Sequence, residues 1–413
     1  MPLTAAGNTA VADRPASVPG SRGMPPAMQS WVIDAQAVLR CPVSGTDLRL
    51  ADADELAALN ARVADGTLRC RDGSAVPRAL EAALLTDDGR WAYAIVDGIV
   101  ILTETQAIVA RGADHAETTH LRAEKRDAQA FYDAHGWQPQ DDASEDFVDA
   151  ALHEDMRPVS REYLRQCNRR VMQHIPPCGK YLLDVASGPL QFPEYVEYSE
   201  GYTHRVCVDL SLVALRAARR RLGGRGIFVL GDVTNLPLKD GTMDGVVSIH
   251  TLFHVPQDEQ PKALRELHRV LRPGGSAVVV YSAGDRCALM KLPLLRFGLL
   301  RPLQRRLRWY GRRLRQMLGG PSATGGTPPP RLYFHAHPVS WWRRQRLGFE
   351  IELRCWRSVH VDFLKMYVHR WLAGRAVVGL LYWLENAAPR LMGSVGQYPM
   401  FVVRKVRGTL RGE

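Results

Sequence analysis

Between residues 181 and 282 short apolar runs alternate with amphipathic stretches. The runs read "YLLDVAS", "YTHRVCVDLS", "GIFVLGDV", "MDGVVSIHTL" and "SAVVVYS". Connections of roughly ten to twenty residues separate them, a spacing that predicts crossover units and a parallel, doubly wound α/β sheet. Ahead of this series, residues 31–109 predict a β-rich module. Its pieces are "AVLRCPVSGTDLRL" as two strands about a Ser44–Gly45 turn, and "ADELAALNARVADG" as a helix burying Leu56, Leu59 and Val63. "WAYAIVDGIVIL" completes it as a hairpin on Asp97–Gly98. Residues 1–30, rich in Pro, Gly, Ala and Ser, predict a disordered tail.

Residues 110–177 are polar and mostly helical, and predict a lid or linker before a main domain at 178–413. After residue 282 the alternation breaks. A basic helix is expected to about residue 318, then a linker, "GGPSATGGTPPP". "PVSWWRRQRL" predicts a short helix, "FEIELRCWRSV" a sixth strand, residues 361–393 more helix, and "QYPMFVVRKV" a seventh strand. The main domain thus carries insertions at 283–330 and 360–395. No internal repeat is present.

In an open α/β sheet, ligands bind beyond the carboxyl ends of the strands, so the residues ending each run are the candidates. The first run ends in Asp184 and a loop through Ala186 and Gly188. The second ends in Asp209–Leu210, placed to accept from two ribose hydroxyls; the third ends at Asp232–Val233, where an adenine amine could be held. The fourth ends at Ser248–His250, and "LRPGG" at 271–275 leads into the fifth. A pyrophosphate needs a glycine-rich helix N-terminus, which an acid with a single glycine supplies poorly. A cationic ligand suits that loop better.

These pieces, with "ALRELHRVLRPGG", make residues 178–282 resemble the core of class I S-adenosylmethionine-dependent methyltransferases, especially the small-molecule branch that includes quinone-biosynthesis enzymes. The resemblance implies a seven-strand Rossmann-like sheet and S-adenosyl-L-methionine as cofactor. It assigns Asp184, Ala186 and Gly188 to the methionine side, Asp209 with Leu210 to the ribose, and Asp232 with Val233 to the adenine. Ser248 and its neighbours would flank the sulfonium. The chain departs from the family where Ala186 and Leu190 replace glycines. Alanine is accepted at negative φ, and Leu190 implies a different start for the following helix.

Residues 37–104 resemble the small zinc-ribbon-like activators that partner tRNA, rRNA and release-factor methyltransferases, through "LRCPVSGTDL", "LNARVADGTLRCRDGSAVP" and "WAYAIVDGIVIL". A structural zinc needs four ligands. Cys41 and Cys70 alone, with Ser44 at the second position, predict no metal.

The 413 residues carry a net charge of +11, and the cations are concentrated. Between Asp285 and Leu318 ten lysines and arginines face one acid, which accounts for nine of the eleven net charges. Leu300, Leu303, Leu307, Tyr310, Leu314 and Met317 recur at helical spacing, with arginines on the other face. Three readings of residues 300–317 stay open: a solvated face over the site, peripheral contact with an anionic membrane or a lipid-linked substrate, or RNA. RNA is the weaker match, because stacking aromatics are few beside the arginines; DNA is not expected. Seven scattered cysteines without a C-x-x-C pair suit a reducing cytoplasm. No run suits a signal peptide or a membrane span.

Methyl transfer needs donor and acceptor aligned in a dry pocket. An oxygen acceptor gains from a base near the sulfonium, for which His250 and His254 are the candidates; His254 as a packing or capping residue is the bland alternative. The expected function is methyl transfer to a small-molecule or lipid-linked acceptor. An RNA methyltransferase with its activator fused in cis, and a non-catalytic cofactor-binding regulator, are the alternatives.

Overall fold

A computed structural model describes residues 26–111, 119–138, 147–284, 287, 306, 310 and 332–406. The strands are β1 (Leu48–Leu50), β2 (Ala82–Thr86), β3 (Trp91–Val96), β4 (Ile99–Ile101), β5 (Ile108–Val109), β6 (Gly179–Val185), β7 (Tyr202–Asp209), β8 (Gly226–Leu230), β9 (Met243–Ile249), β10 (Leu271–Val280), β11 (Ile351–Arg357) and β12 (Tyr398–Arg404). All five apolar runs of the alternating region, and both later ones, became strands. The Asp97–Gly98 hairpin formed as expected, with both turn residues at positive φ, 53° and 67°.

The sheet corrects the expected strand number. The order is β1-β2-β3-β4-β8-β7-β6-β9-β10-β12-β11, with β5 paired to β3, so twelve strands form one mixed sheet rather than seven. The expected seven occupy the β8-to-β11 part. Strands β8, β7, β6, β9 and β10 run parallel, and β12 and β11 close the far edge antiparallel. The other five strands come from the N-terminal unit, because β4 lies parallel to β8 with Ile99 opposite Phe228 and Ile101 opposite Leu230. An uncovered β8 would present a row of unpaired backbone groups. β4 takes them up.

The same unit reaches further along the main domain. Leu102 N donates to Leu230 O (2.8 Å), Arg40 N to Pro237 O (3.0 Å) and Lys239 N to Val38 O (2.8 Å). Trp31 Nε1 donates to Gly226 O (3.1 Å). One apolar core runs from Val32, Leu39, Tyr93 and Val100 into Val206, Val229, Leu236 and Leu238 without a break. The expected tail at 1–30 also ends early, since residues Pro26–Val38 form a helix. Val32, Ala35 and Val38, three apart on one face, are buried in that core, and this burial outweighs the local strand signal of "AVL".

On the opposite face of the sheet, helices 158–169, 374–387 and 389–395 pack against β11, and Phe363 and Leu364 of helix 361–367 share a buried cluster with Met400 and Val402 of β12. Helix 374–387 turns an acid inward. Buried Glu385 accepts from Tyr163 OH (2.7 Å), Arg170 Nη1 (2.9 Å), Ser358 N (2.7 Å) and Ser358 Oγ (2.6 Å). Four donors on one carboxylate repay its desolvation. The basic stretch 300–317 lies outside the described residues except for Arg306 and Tyr310, both exposed. Among the described residues no helix is long and apolar enough to cross a membrane, and no group of three or more potential ligands could hold a metal. Cys41 Sγ lies 3.0 Å from Tyr93 OH in the core.

A continuous sheet predicts that a change in the N-terminal unit destabilises the whole chain. Ile99 is fully buried against Cys207, Leu215, Phe228 and Leu230 of the main domain. Ile99→Ala should cost about 2–5 kcal/mol, and calorimetry should record one cooperative transition moved down, not a separate early one.

Candidate active site

Parallel strands present their carboxyl ends on one side, and here the order reverses between β6 and β9. A cavity of about 900 Å³ opens at that point, within the size of a small-molecule site. Asp184, Ala186, Gly188, Asp209, Leu210, Asp232, Val233, His250 and His254 all line it. Ser248 does not. Its side chain is buried within β9, and Ile249, His250 and Thr251 reach the cavity in its place. The strand continues one residue beyond Ser248, which turns that side chain to the packed face.

The three strand-end acids differ in environment. Asp209 accepts from Gly188 N (2.9 Å) and Ser211 N (2.8 Å), one bond to each oxygen. Burial pushes its carboxyl up to about 6, although both backbone bonds pull it down. A carboxylate has about four acceptor positions, so a further one remains on each oxygen. Asp184 is not the free anion that the loop suggested: the Arg205 guanidinium pairs with it, both side chains being buried. Burial pushes the Asp184 carboxyl up while Arg205 pulls it back. Asp232 Oδ1 accepts from Thr234 N (2.8 Å), and Oδ2 from Lys125 Nζ (2.6 Å).

Lys125 belongs to a lid built on a four-residue repeat. Helix 123–131 continues into a π-helical turn, Tyr132–Gly136, and side chains four apart share a face. Lys125 Nζ also donates to Thr234 Oγ1 (2.8 Å) and forms an ion pair with Glu259 Oε2 (2.7 Å), which ties the lid to the loop after β8 and to the start of the helix at 260–270. Gln129 Nε2 donates to Leu210 O (2.7 Å), and Asp133 accepts from Ser211 Oγ, both after β7. Trp137 stacks on Tyr132 (4.7 Å, 15°) and covers Gly188 after β6, where a Cβ would lie 3.1 Å from the indole. In the sequence, Tyr132 and Trp137 of "FYDAHGW" read equally as lid aromatics or as ordinary core. Lys125, Gln129 and Asp133 were missed, though their spacing was the signal.

Both histidines are neutral at pH 7. Burial pushes His254 down to about 4, against the pull of the Tyr333 carbonyl. Its Nδ1 lies 2.8 Å from that carbonyl, which only accepts, so Nδ1 carries the proton and Nε2 is left as acceptor. Burial, reinforced by Arg357, pushes His250 down to about 3. Its ring stands edge-on to Trp356 (4.7 Å) and Tyr398 (5.3 Å), and its buried Nε2 has no hydrogen-bond partner. Beyond the histidines the cavity runs on to Asp149, His153, Glu154, His360 and Gln397, a polar end contributed by the lid region and the C-terminal insertion.

The cavity rim is strained. Ala186, Leu190 and His250 have φ of 51°, 56° and 59°, left-handed values that cost an L-residue about 1–2 kcal/mol each. This corrects the expectation of negative φ at Ala186: the backbone keeps the conformation of glycine after the glycine is gone. At Leu190 the side chain is fully buried against Ile99, Leu215 and Phe228, which offsets the strain. The following helix starts at Pro193.

Residues 183–279 match the family described as "Methyltransferase domain". A demethylmenaquinone methyltransferase from Roseiflexus castenholzii is 35% identical over 126 residues, 30% of this chain and 49% of that protein. A ubiquinone/menaquinone biosynthesis C-methyltransferase from Methylobacterium nodulans is 32% identical over 139 residues, 32% of this chain and 51% of that protein. The chain spans about half the length of these relatives. A solved S-adenosyl-L-methionine-dependent methyltransferase from Methanococcus maripaludis, its activity assigned as putative, is 14% identical with a TM-score of 0.32 over 61% of this chain and 90% of that one. A likeness of that degree says nothing about the site.

The family matched over residues 183–279 implies S-adenosylmethionine, and the residues lining the cavity fit that group. Asp209 keeps acceptor capacity toward the cavity, Gly188 brings bare backbone to the wall, and Val233 supplies an apolar surface. Lys125→Met removes the one cation shared by Asp232 and Glu259, and should destabilise the fold by about 2–4 kcal/mol in urea titrations. Two glycine substitutions on the strained rim should have opposite signs. Ala186→Gly relieves backbone strain and should be neutral or stabilising by up to about 1 kcal/mol. Leu190→Gly also empties a packed site and should destabilise by about 2–5 kcal/mol.

Proposed function

We propose that the chain transfers a methyl group from S-adenosylmethionine to a small-molecule or lipid-linked acceptor. The observation that carries this reading is the convergence of three strand-end acids and two neutral histidines on one cavity of about 900 Å³. Asp209 accepts the ribose hydroxyls, Asp232 with Val233 faces the adenine, and the Ala186–Gly188 backbone with the Asp184–Arg205 pair bounds the methionine side. When bound, the cofactor supplies an electrophilic methyl on a sulfonium for in-line displacement.

The remaining work falls to the chain's own groups. Tyr132 and Trp137 exclude water from the donor side. The Nε2 atom of His254 accepts a hydrogen bond from a nucleophilic hydroxyl or amine and holds it in line. At such low basicity His254 orients the acceptor and takes up its proton only as the new bond to carbon forms. The resemblance to a demethylmenaquinone methyltransferase and to a ubiquinone/menaquinone biosynthesis C-methyltransferase supports an acceptor of small-molecule type. The N-terminal unit serves as an activator fused in cis: it holds the adenine-side loop through Asn235 Nδ2, which donates to Pro42 O (2.9 Å) and to Glu104.

Asp209→Ala should weaken S-adenosylmethionine binding by about 1.5–3 kcal/mol in calorimetry; unchanged affinity would contradict the ribose assignment. The pH dependence separates the groups. The folded Asp209 carboxyl titrates near 6, above an ordinary aspartate, so its protonated fraction grows as pH falls through 6. Donor affinity should hold above that value and drop below it, by up to about tenfold per pH unit. Both histidines stay neutral across that window, so Asp209→Asn should flatten the profile and His254→Gln should not. Methyl-labelled donor incubated with lysate, then split into lipid, small-molecule and RNA fractions, should label one of the first two. Label in RNA alone would overturn the acceptor class.

A further inference from the structure

Helix 374–387 is built inside out. Its inward face carries Val378 and the buried acid Glu385, while its outward face carries Ala376, Leu380, Trp383, Leu384 and Ala387. At 100° per residue those five fall within one arc of about a third of the circumference, and all are apolar. Leu380 is 58% exposed and Trp383 63%; Trp371 just before the helix is 78% exposed, and Leu391 just after it 62%. Large side chains in such a contiguous exposed set mark an interaction surface.

The charge around the patch narrows the partner. Arg370 and Arg375 are exposed beside it, as is Arg390, which lies 3.8 Å from Glu352. From His369 to Met392 the sequence holds one acid, Glu385, whose carboxylate is spent on Tyr163, Arg170 and Ser358. The rim therefore attracts anions. The arginine-rich stretch within 286–315 has the same sign as this rim, and a second copy would bring the same arginines, so electrostatics opposes both as occupants. The outward arc carries a single hydrogen-bonding group, the Trp383 indole N–H, too little to read a protein partner. Tryptophan and leucine flanked by arginine is the composition that seats a helix at the interface of an anionic bilayer, with apolar groups in the acyl boundary and guanidinium groups among the headgroups.

We propose that the outward face of helix 374–387, with Trp371 and Leu391 at its ends, docks the protein on an anionic lipid bilayer. This surface is distinct from the 300–317 segment and does not depend on what the cavity methylates. The full chain should sediment at low salt with vesicles of phosphatidylglycerol and phosphatidylcholine, and much less with phosphatidylcholine alone; added salt should weaken it. Leu380→Ser/Trp383→Ser should lower vesicle affinity by roughly tenfold or more, since two large apolar groups no longer enter the bilayer. The thermal midpoint and donor binding should stay unchanged, because both side chains already face solvent. Three results would overturn the proposal: no sedimentation of the wild type at low salt, equal sedimentation of the double variant, or a wild-type dimer in light scattering that the double variant abolishes. Loss of sedimentation only on replacing Arg305, Arg306, Arg312 and Arg313 with glutamine would likewise move the contact to the basic segment and refute it.

Discussion

The pairing of β4 with β8 is the constraint on which the rest of the structure depends. β8 ends the main domain's own parallel strands, and its last residues lead into the loop that carries Asp232. An exposed parallel edge would fray and expose Val229, Leu236 and Leu238, all buried here. With β4 alongside, that edge becomes interior. The loop beyond it is then held by backbone bonds at Arg40 and Lys239 and by the side chain of Asn235. The N-terminal unit shapes one wall of the cavity without lining it.

The opposite wall is set by electrostatics of buried groups. Asp184, Glu154 and Glu385 each face an arginine, respectively Arg205, Arg357 and Arg170. Such pairs are expensive to bury and return that cost only with further hydrogen bonds. Asp184, Arg205 and Glu154 line the cavity, where such pairing suits geometric precision more than gross stability. The left-handed backbone at Ala186 and His250 fits the same pattern, strain persisting where the surroundings over-determine it. The lid completes the enclosure because side chains at every fourth position reach the loops after β8, β7 and β6, with Gln129 and Asp133 sharing the one after β7.

Local chemistry made much of this legible in the sequence. Apolar runs of strand length between helical connections determined the α/β alternation, since no other arrangement buries them. The acids ending successive runs located the cofactor side, because strand ends converge there by topology, and the Asp97–Gly98 turn announced its hairpin. Which strands would meet across the chain was beyond reach. The edge pairing of Ile99–Ile101 with Phe228–Leu230 is made of backbone bonds that any side chains permit, so no residue pattern encodes it. The same holds for the partners of the charged groups. Asp184 reads as an anion in sequence and becomes half of an ion pair only when β7 brings Arg205 beside it. Lys125 reads as one more surface lysine until the lid folds over Asp232. Periodicity and residue type determined the elements and the side of the sheet that does chemistry. Edge closure, charge pairing and the sign of φ at Ala186 were decided by long-range packing, whose energies exceed the local preferences they override.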